Sequence, residues 1–430
     1  MLKLFKDRNF FILWLGEFVS VIGSHISMIA FPFLVLQLTG SPAQMGLVLA
    51  AQGLPRAVLM LVGGAIVDRS SPRLVMIVSN AVRFALLLLL AALIAEQQIS
   101  VPIIFGLAVM FGLADAFFYP AATSIVPSVV DKNDLKSANA IMQGSVWVGV
   151  IIGPAIAAFV IAGEVNTLGH GAGLEAATFE SNREGYARAF FLDALTFGFS
   201  FVTLLFVRAR SLQSEEEGEA APSMLGEVKK AIKWVWSVPA IRLGFLGIAI
   251  LEFFFQTSIF VGLPALTDRR YLEPEFVYGL IVAAYGLGAL AGAITAGSVA
   301  WPSRENIVRT MFIMFTGSGA SIGLIVLYEP YWFAMALFLV FGAADSYIWV
   351  HFTTFLQQST PEAQMGRVMS IMMFMSVGLI PIASVILGAA FEVNLEVSLL
   401  VASGILTISS LVMALHPDSK KVPELATEDS

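Results

Sequence analysis

Eight ionisable side chains sit inside long apolar stretches of this chain: Glu17, His25, Arg56, Arg83, Asp115, Glu252, Asp345 and His351. A charge in hydrocarbon costs at least about 2.5–3.5 kcal/mol, so each of them needs a partner, a path to water or a task. A carboxylate in such a place can exchange a proton or hold a cation. Glu17, Asp115, Glu252 and Asp345 are therefore candidates for proton and cation handling. The competing reading for any one of them is a static ion pair, such as Arg56 with Asp115 or Glu17. A guanidinium does not titrate, so Arg56, directly after Pro55, must pair, reach water or bind an anionic substrate group. Arg83 reads as a structural partner. His25 and His351 are candidate proton relays, because imidazole titrates near neutrality, against the plainer reading of hydrogen-bonded packing groups. Asp193, near the end of its apolar stretch, reads as a helix-end carboxylate.

The elements that carry these groups follow from composition. Of 430 residues, 58% are hydrophobic and 13% charged, against roughly 25% charged in soluble domains. The apolar residues come in blocks of about 20 or more, the length that crosses ~30 Å of hydrocarbon. The blocks do not alternate apolar and polar residues as barrel strands do, so they are helices. Twelve spans are expected, near 10–38, 44–67, 73–95, 101–127, 138–163, 188–208, 241–267, 276–300, 306–328, 331–358, 367–391 and 396–415. The fold class is an all-α membrane protein of two pseudo-symmetric six-helix halves. The first block is too long for a signal-peptide core and is read as a retained span. At 1.5 Å per residue, Asp115, Glu252 and Asp345 lie roughly 16–21 Å into their spans, and Glu17 about 10 Å.

Lysine and arginine set the expected orientation. With the N-terminus cytoplasmic, eighteen of them fall on the inside and only Arg183, Arg188, Arg269 and Arg270 outside. Both termini are then inside, as an even number of spans requires. The domains expected are 1–208, a linker at 209–240, a second half at 241–415 and a tail at 416–430. The linker opens with the acidic run Glu215, Glu216, Glu217 and Glu219. It continues with a surface helix whose apolar face holds Leu225, Val228, Ile232, Val235 and Trp236, opposite Lys229, Lys230 and Lys233. A long polar loop, 164–187, with His170, faces outside and has no assigned role. An internal repeat links the halves. FGLAD (111–115) and FGAAD (341–345) fall in the fourth span of each, and Glu17-Phe18 and Glu252-Phe253 in the first.

Several chemistries are excluded. The chain has no cysteine, hence no disulfide and no thiolate metal site. It lacks the P-loop and HExxH patterns, so it is not read as an enzyme and no cofactor or metal is expected. No basic patch suggests nucleic acid. The methionine-rich run Met369, Met372, Met373, Phe374, Met375 offers either a compliant apolar pocket or lipid-facing packing.

Sequence motifs carry a family resemblance. The loop GGAIVDRSSPR resembles the signature loop of the major facilitator superfamily at Gly64, Asp68, Arg69 and Arg73, with Ser71 and Pro72 departing from it. GVIIGP, with Gly149, Gly153 and Pro154, resembles that superfamily's antiporter motif, with Ala157 and Ala158 in place of its final glycines. AFFYPAATSIVPSVV (116–130), SANA (137–140), FLDALTF (191–197), YGLGALAG (285–292) and LQQSTPEAQMGRVMS (356–370) together resemble its drug and siderophore exporter branch, which includes macrolide-efflux and enterobactin-exporter proteins. The resemblance implies a bacterial inner-membrane exporter of small amphipathic compounds. It would be driven by protons through alternating access, with Asp68 and Arg73 in the gate. The arginine motif common in the fourth span of other drug antiporters is absent, and Ser24 and His25 stand near where many branch members are acidic. Proton-handling residues therefore do not transfer from relatives. The alternatives are export of a siderophore or lipid-like metabolite, and a non-transporting receptor on the same fold. The expected partners are an amphipathic small molecule, protons and the bilayer, with the chain acting as a monomer.

Overall fold

The computed structural model describes residues 3–68, 71–131, 134–162, 179–210, 224–299 and 301–421, and among them the regular structure is helical throughout. The first half holds α1 (Arg8–Thr39), α2 (Pro42–Asp68), α3 (Pro72–Ala95), α4 (Val101–Val129), α5 (Leu135–Ala162) and α6 (Phe179–Phe206). After the short α7 (Met224–Ser237) come α8 (Pro239–Leu251), two π turns (Glu252–Gln256 and Ser258–Gly262) and α9 (Leu263–Arg270), which together form one span. The rest are α10 (Pro274–Ala296), α11 (Ile307–Leu327), α12 (Tyr331–Ser359), α13 (Glu362–Val393) and α14 (Leu395–Leu415). Eleven helical segments of the described residues are long and apolar enough to cross a membrane. The 27 residues of α2 give it roughly 40 Å, enough for a twelfth. The protein is a multi-pass membrane protein.

Local chemistry sets the ends. Asp7 caps α1 by accepting from the amides of Asn9 and Phe10 at 2.7 and 3.2 Å. Proline occupies the first turn of α3, α4 and α8, where no intrahelical amide bond is lost. The second π turn in the seventh span also has a chemical cause. Pro264 lacks an amide hydrogen and its ring crowds the carbonyl of Phe260, four residues back, which widens that turn.

One boundary differs from the sequence expectation. The sixth helix starts at Phe179, not near 188, so the polar segment 179–187 is helix rather than loop. Polar residues mask this from hydropathy, but Arg188 pairs with Glu184 one turn back at 2.6 Å, and Arg183 donates to the Ala95 carbonyl. Residues 164–178 of the expected loop, with His170, lie outside the described residues, as does the acidic run of the linker. In α7 Val235 is buried while Ile232 and Trp236 keep nearly half their surface exposed.

The chain packs as two compact units. The first contains residues 1–213 with 261–283 and 384–392, and the second contains 214–260, 284–383 and 393–430. Within the first unit, three carboxylates of the later segments accept from the first six helices. Gln37 donates to Asp268 at 2.8 Å, Ser41 to Glu392 at 2.8 Å, and the buried Tyr186 hydroxyl to Glu275.

The internal repeat performs the same packing task in each unit. A Cβ on Gly112 of FGLAD would lie 2.0 Å from the Gln52 carbonyl, and one on Gly342 of FGAAD 2.2 Å from the Tyr285 carbonyl. Only glycine lets the fourth helix of each half come this close to the second. Gly106 of α4, by contrast, has nothing within 4 Å. Gly342→Leu and Gly112→Leu are expected to destabilise the detergent-solubilised protein by about 1–3 kcal/mol or more, whereas Gly106→Leu leaves it unchanged. Thermal melting followed by size-exclusion chromatography checks the contrast.

Candidate functional site

Each unit holds its own cluster of buried charge. In the first, α3 and α4 bring Arg83 onto Asp115. The guanidinium and Oδ1 make a close ion pair, with side chains only 4% and 11% exposed. The same guanidinium lies over Phe118 at 4.0 Å and near Phe197 and Phe111 at 5.2 and 5.8 Å. Aromatic faces stabilise a cation, so the site is built for a permanent guanidinium. Arg56 of α2 reaches the other carboxylate oxygen at 3.8 Å, too long for a hydrogen bond, and its side chain is 28% exposed.

Glu17 of α1 is buried and accepts from Ser200 of α6 at 3.1 Å. Ser200 in turn accepts from Asn80 of α3 at 2.9 Å. A neutral chain of donors thus supports this carboxylate. Asp193 is fully buried, with Ser27 and Thr196 donating to it. The earlier start of α6 explains why it is not a helix-end group, since it stands about 21 Å along the helix.

In the second unit, Glu252 opens the first π turn. It is 6% exposed, and its Oε2 has no hydrogen-bond partner among the described residues. Asp345 of α12 acts on it electrostatically and accepts from the Tyr285 hydroxyl of α10 at 2.6 Å. Tyr285 in turn lies within electrostatic reach of both acids. Among the described residues neither acid is ion-paired with a cation. Asp115 and Asp345 each stand fourteen residues into their helices, about 21 Å, so the repeat sets them at the same position along those helices.

The other expected site residues are not brought to these clusters. The His25 Nδ1 hydrogen-bonds its own helix at the Val21 carbonyl, 2.8 Å away. Its side chain packs on α5, where a Cβ on Gly153 would come within 2.3 Å of the His25 Cβ and one on Gly149 within 2.5 Å of Val21 Cγ1. Those two glycines are helix-packing positions. The Pro154 carbonyl lies against Gly279 of α10. His351 bonds the Tyr347 carbonyl at 2.9 Å and borders a cavity of about 400 Å³ with Arg304, Ser303 and Gln358, almost two helical turns past Asp345. Arg73 caps the end of α6, donating to the carbonyls of Leu204 and Leu205 at 2.9 and 2.8 Å. Gly64 and Asp68 belong to the end of α2, but the Asp68 side chain, and the whole of Arg69, lie outside the described residues. The methionine run goes round its helix, with Met372 buried and Met373 and Phe374 exposed. Sequence reasoning missed Tyr285, Tyr119, Ser200 and Asn80. Tyr285 and Tyr119 stand within motifs quoted for their resemblance, and that was their only signal.

Comparison with known proteins agrees with this architecture. The family model described as Major Facilitator Superfamily matches residues 13–385. The multidrug efflux pump Tap of Mycolicibacterium fortuitum is 25% identical over 366 residues, covering 81% of each chain. The enterobactin exporter EntS of Escherichia coli is 26% identical, covering 97% of this chain and 95% of its own. Among solved structures, the nucleoside transporter NupG superposes with a TM-score of 0.74 at 12% identity, covering 94% of this chain and 100% of its own. A peptide transporter of the POT type gives 0.72 at 14%, covering 97% and 96%. These two likenesses speak to the fold alone.

Removing Asp115 leaves Arg83 buried with no counter-charge. Asp115→Asn is therefore expected to cost about 3–5 kcal/mol of stability. Arg56→Gln, at a looser and more exposed contact, is expected to cost under about 1 kcal/mol. Melting temperatures of the two variants in one detergent check the order.

Proposed function

This chain belongs to the major facilitator superfamily, and we propose that it is a proton-coupled exporter of small amphipathic compounds working by alternating access. The Glu252–Asp345 pair carries the reading. Two acids share an apolar surround, one receives a tyrosine hydroxyl, and the other keeps an oxygen without a hydrogen-bond partner among the described residues. Like charges so placed resist joint ionisation, so the pair is suited to bind a proton or a cationic group on cargo in turn. Such exchange is antiport. Glu17 is the matching candidate in the first unit, because its hydrogen bond comes from a neutral donor. Asp115 serves Arg83 as counter-ion.

Export, rather than uptake, draws its support from Tap and EntS, an efflux pump and an exporter by name. Tap favours drug-like cargo, and EntS favours a siderophore-type metabolite as the second reading. The bacterial relatives support the inner membrane as the location, and the lysine and arginine bias supports cytoplasmic termini. The chain is taken to act as a monomer, with Asp68 and Arg73 at the gate between conformations.

The test uses purified full-length protein in liposomes with an imposed proton gradient and a panel of lipophilic dyes and antibiotics. Glu252→Gln and Asp345→Asn are expected to lower gradient-driven flux by about tenfold or more, while substrate-for-substrate exchange without a gradient persists. Flux equal to that of the unmodified protein in both variants would overturn the assignment of these acids. No flux of any compound would overturn the exporter.

A further inference from the structure

Arg56 has more binding capacity than the protein uses. Asp115 offers one negative charge to two guanidinium groups, and its close contact goes to Arg83. Arg56 is left with a 3.8 Å approach, and among the described residues its Nε has no hydrogen-bond partner. Glu17 is hydrogen-bonded to Ser200 and, among the described residues, makes no ion pair with Arg56. Tyr119 stands one turn beyond Asp115 on α4. Its ring centre is 5.7 Å from the Arg56 guanidinium carbon, and half its surface is exposed.

The two residues share a face that is not the aliphatic one. On α2, Leu54 and Val58 are exposed at 40% and 59%, and Arg56 lies about 200° round the helix from each. On α4, Met110 is 47% exposed, and Tyr119, nine residues on, points about 180° away from it. The reachable surface of Arg56 and Tyr119 is thus turned away from these aliphatic rows, the surface that hydrocarbon would cover.

We infer that Arg56 and Tyr119 form a recognition subsite for an acidic group carried on an aromatic ring. The carboxylate or phenolate would take the guanidinium edge that Asp115 leaves free, and the ring would lie against Tyr119. Guanidinium forks fit planar oxyanions in two-point contact, and they stack on aromatic rings. The inference rests on the transport reading only in treating the bound group as part of the cargo.

The probes are 1-naphthoate, 1-naphthalenemethanol and 1-naphthylmethylammonium, titrated against the full chain in lipid nanodiscs. The acid is expected to bind roughly tenfold tighter than the alcohol. Arg56→Gln should remove that advantage while leaving the alcohol and the ammonium unchanged, and Arg56→Lys should restore part of it. Tyr119→Leu should weaken the acid and the alcohol alike. The inference is overturned if the acid holds no advantage, if Arg56→Gln preserves it, if that variant weakens all three probes in parallel, or if none binds. Gradient-driven flux of the dye panel is scored separately. An Arg56-dependent preference without flux sinks the exporter and keeps the subsite, and flux without the preference does the reverse.

Discussion

A guanidinium held in an apolar interior needs a negative charge in contact with it, and the first unit is arranged around that need. Arg83 is nearly inaccessible, yet its charge is permanent. Asp115 neutralises it, and three phenylalanine rings from α4 and α6 close over it. Three helices therefore converge on one side chain. The approach of α4 to α2 at Gly112 then brings Arg56 onto the same carboxylate. The hydrogen-bonded run Asn80–Ser200–Glu17 stitches α3 and α6 to α1 through neutral donors.

The second unit uses the same helix contact for a different end. Gly342 meets Tyr285 as Gly112 meets Gln52, so Asp345 takes the place along its helix that Asp115 takes along its own. The second helix of this half brings no arginine, and what it offers instead is the Tyr285 hydroxyl. With Glu252 in the same unit, two acids stand without an ion-paired cation among the described residues, whereas the counterpart pairs its acid with Arg83. One duplicated backbone contact thus supports an anchored ion pair in one unit and an uncompensated acid pair in the other.

The twelve spans and the membrane class were legible in the sequence, because block length and apolar content are direct physical requirements of the bilayer. The acids at mid-span were legible for the same reason, since a charge in an apolar block stands out. The start of α6 was not. Asn182, Arg183, Glu184 and Arg188 look like loop, and the misplaced boundary turned the buried Asp193 into a helix-end group. Partners were harder still. Arg83 and Asp115 are 32 positions apart, and only the packing of α3 on α4 joins them. Serine, asparagine and tyrosine recur throughout such helices, so nothing in their type marked Ser200, Asn80 or Tyr285.

The π turns that begin at Glu252 have one further consequence. A π turn holds one residue more than the α-helical pattern needs, so every side chain on one side of it is rotated by about 100° relative to the other. Glu252 sits at the boundary, so its carboxylate and the side chains beyond the turn stand in a relation that an unbroken α-helix would not give them. The seventh span therefore re-aims its side chains at Glu252 without a break in the helix.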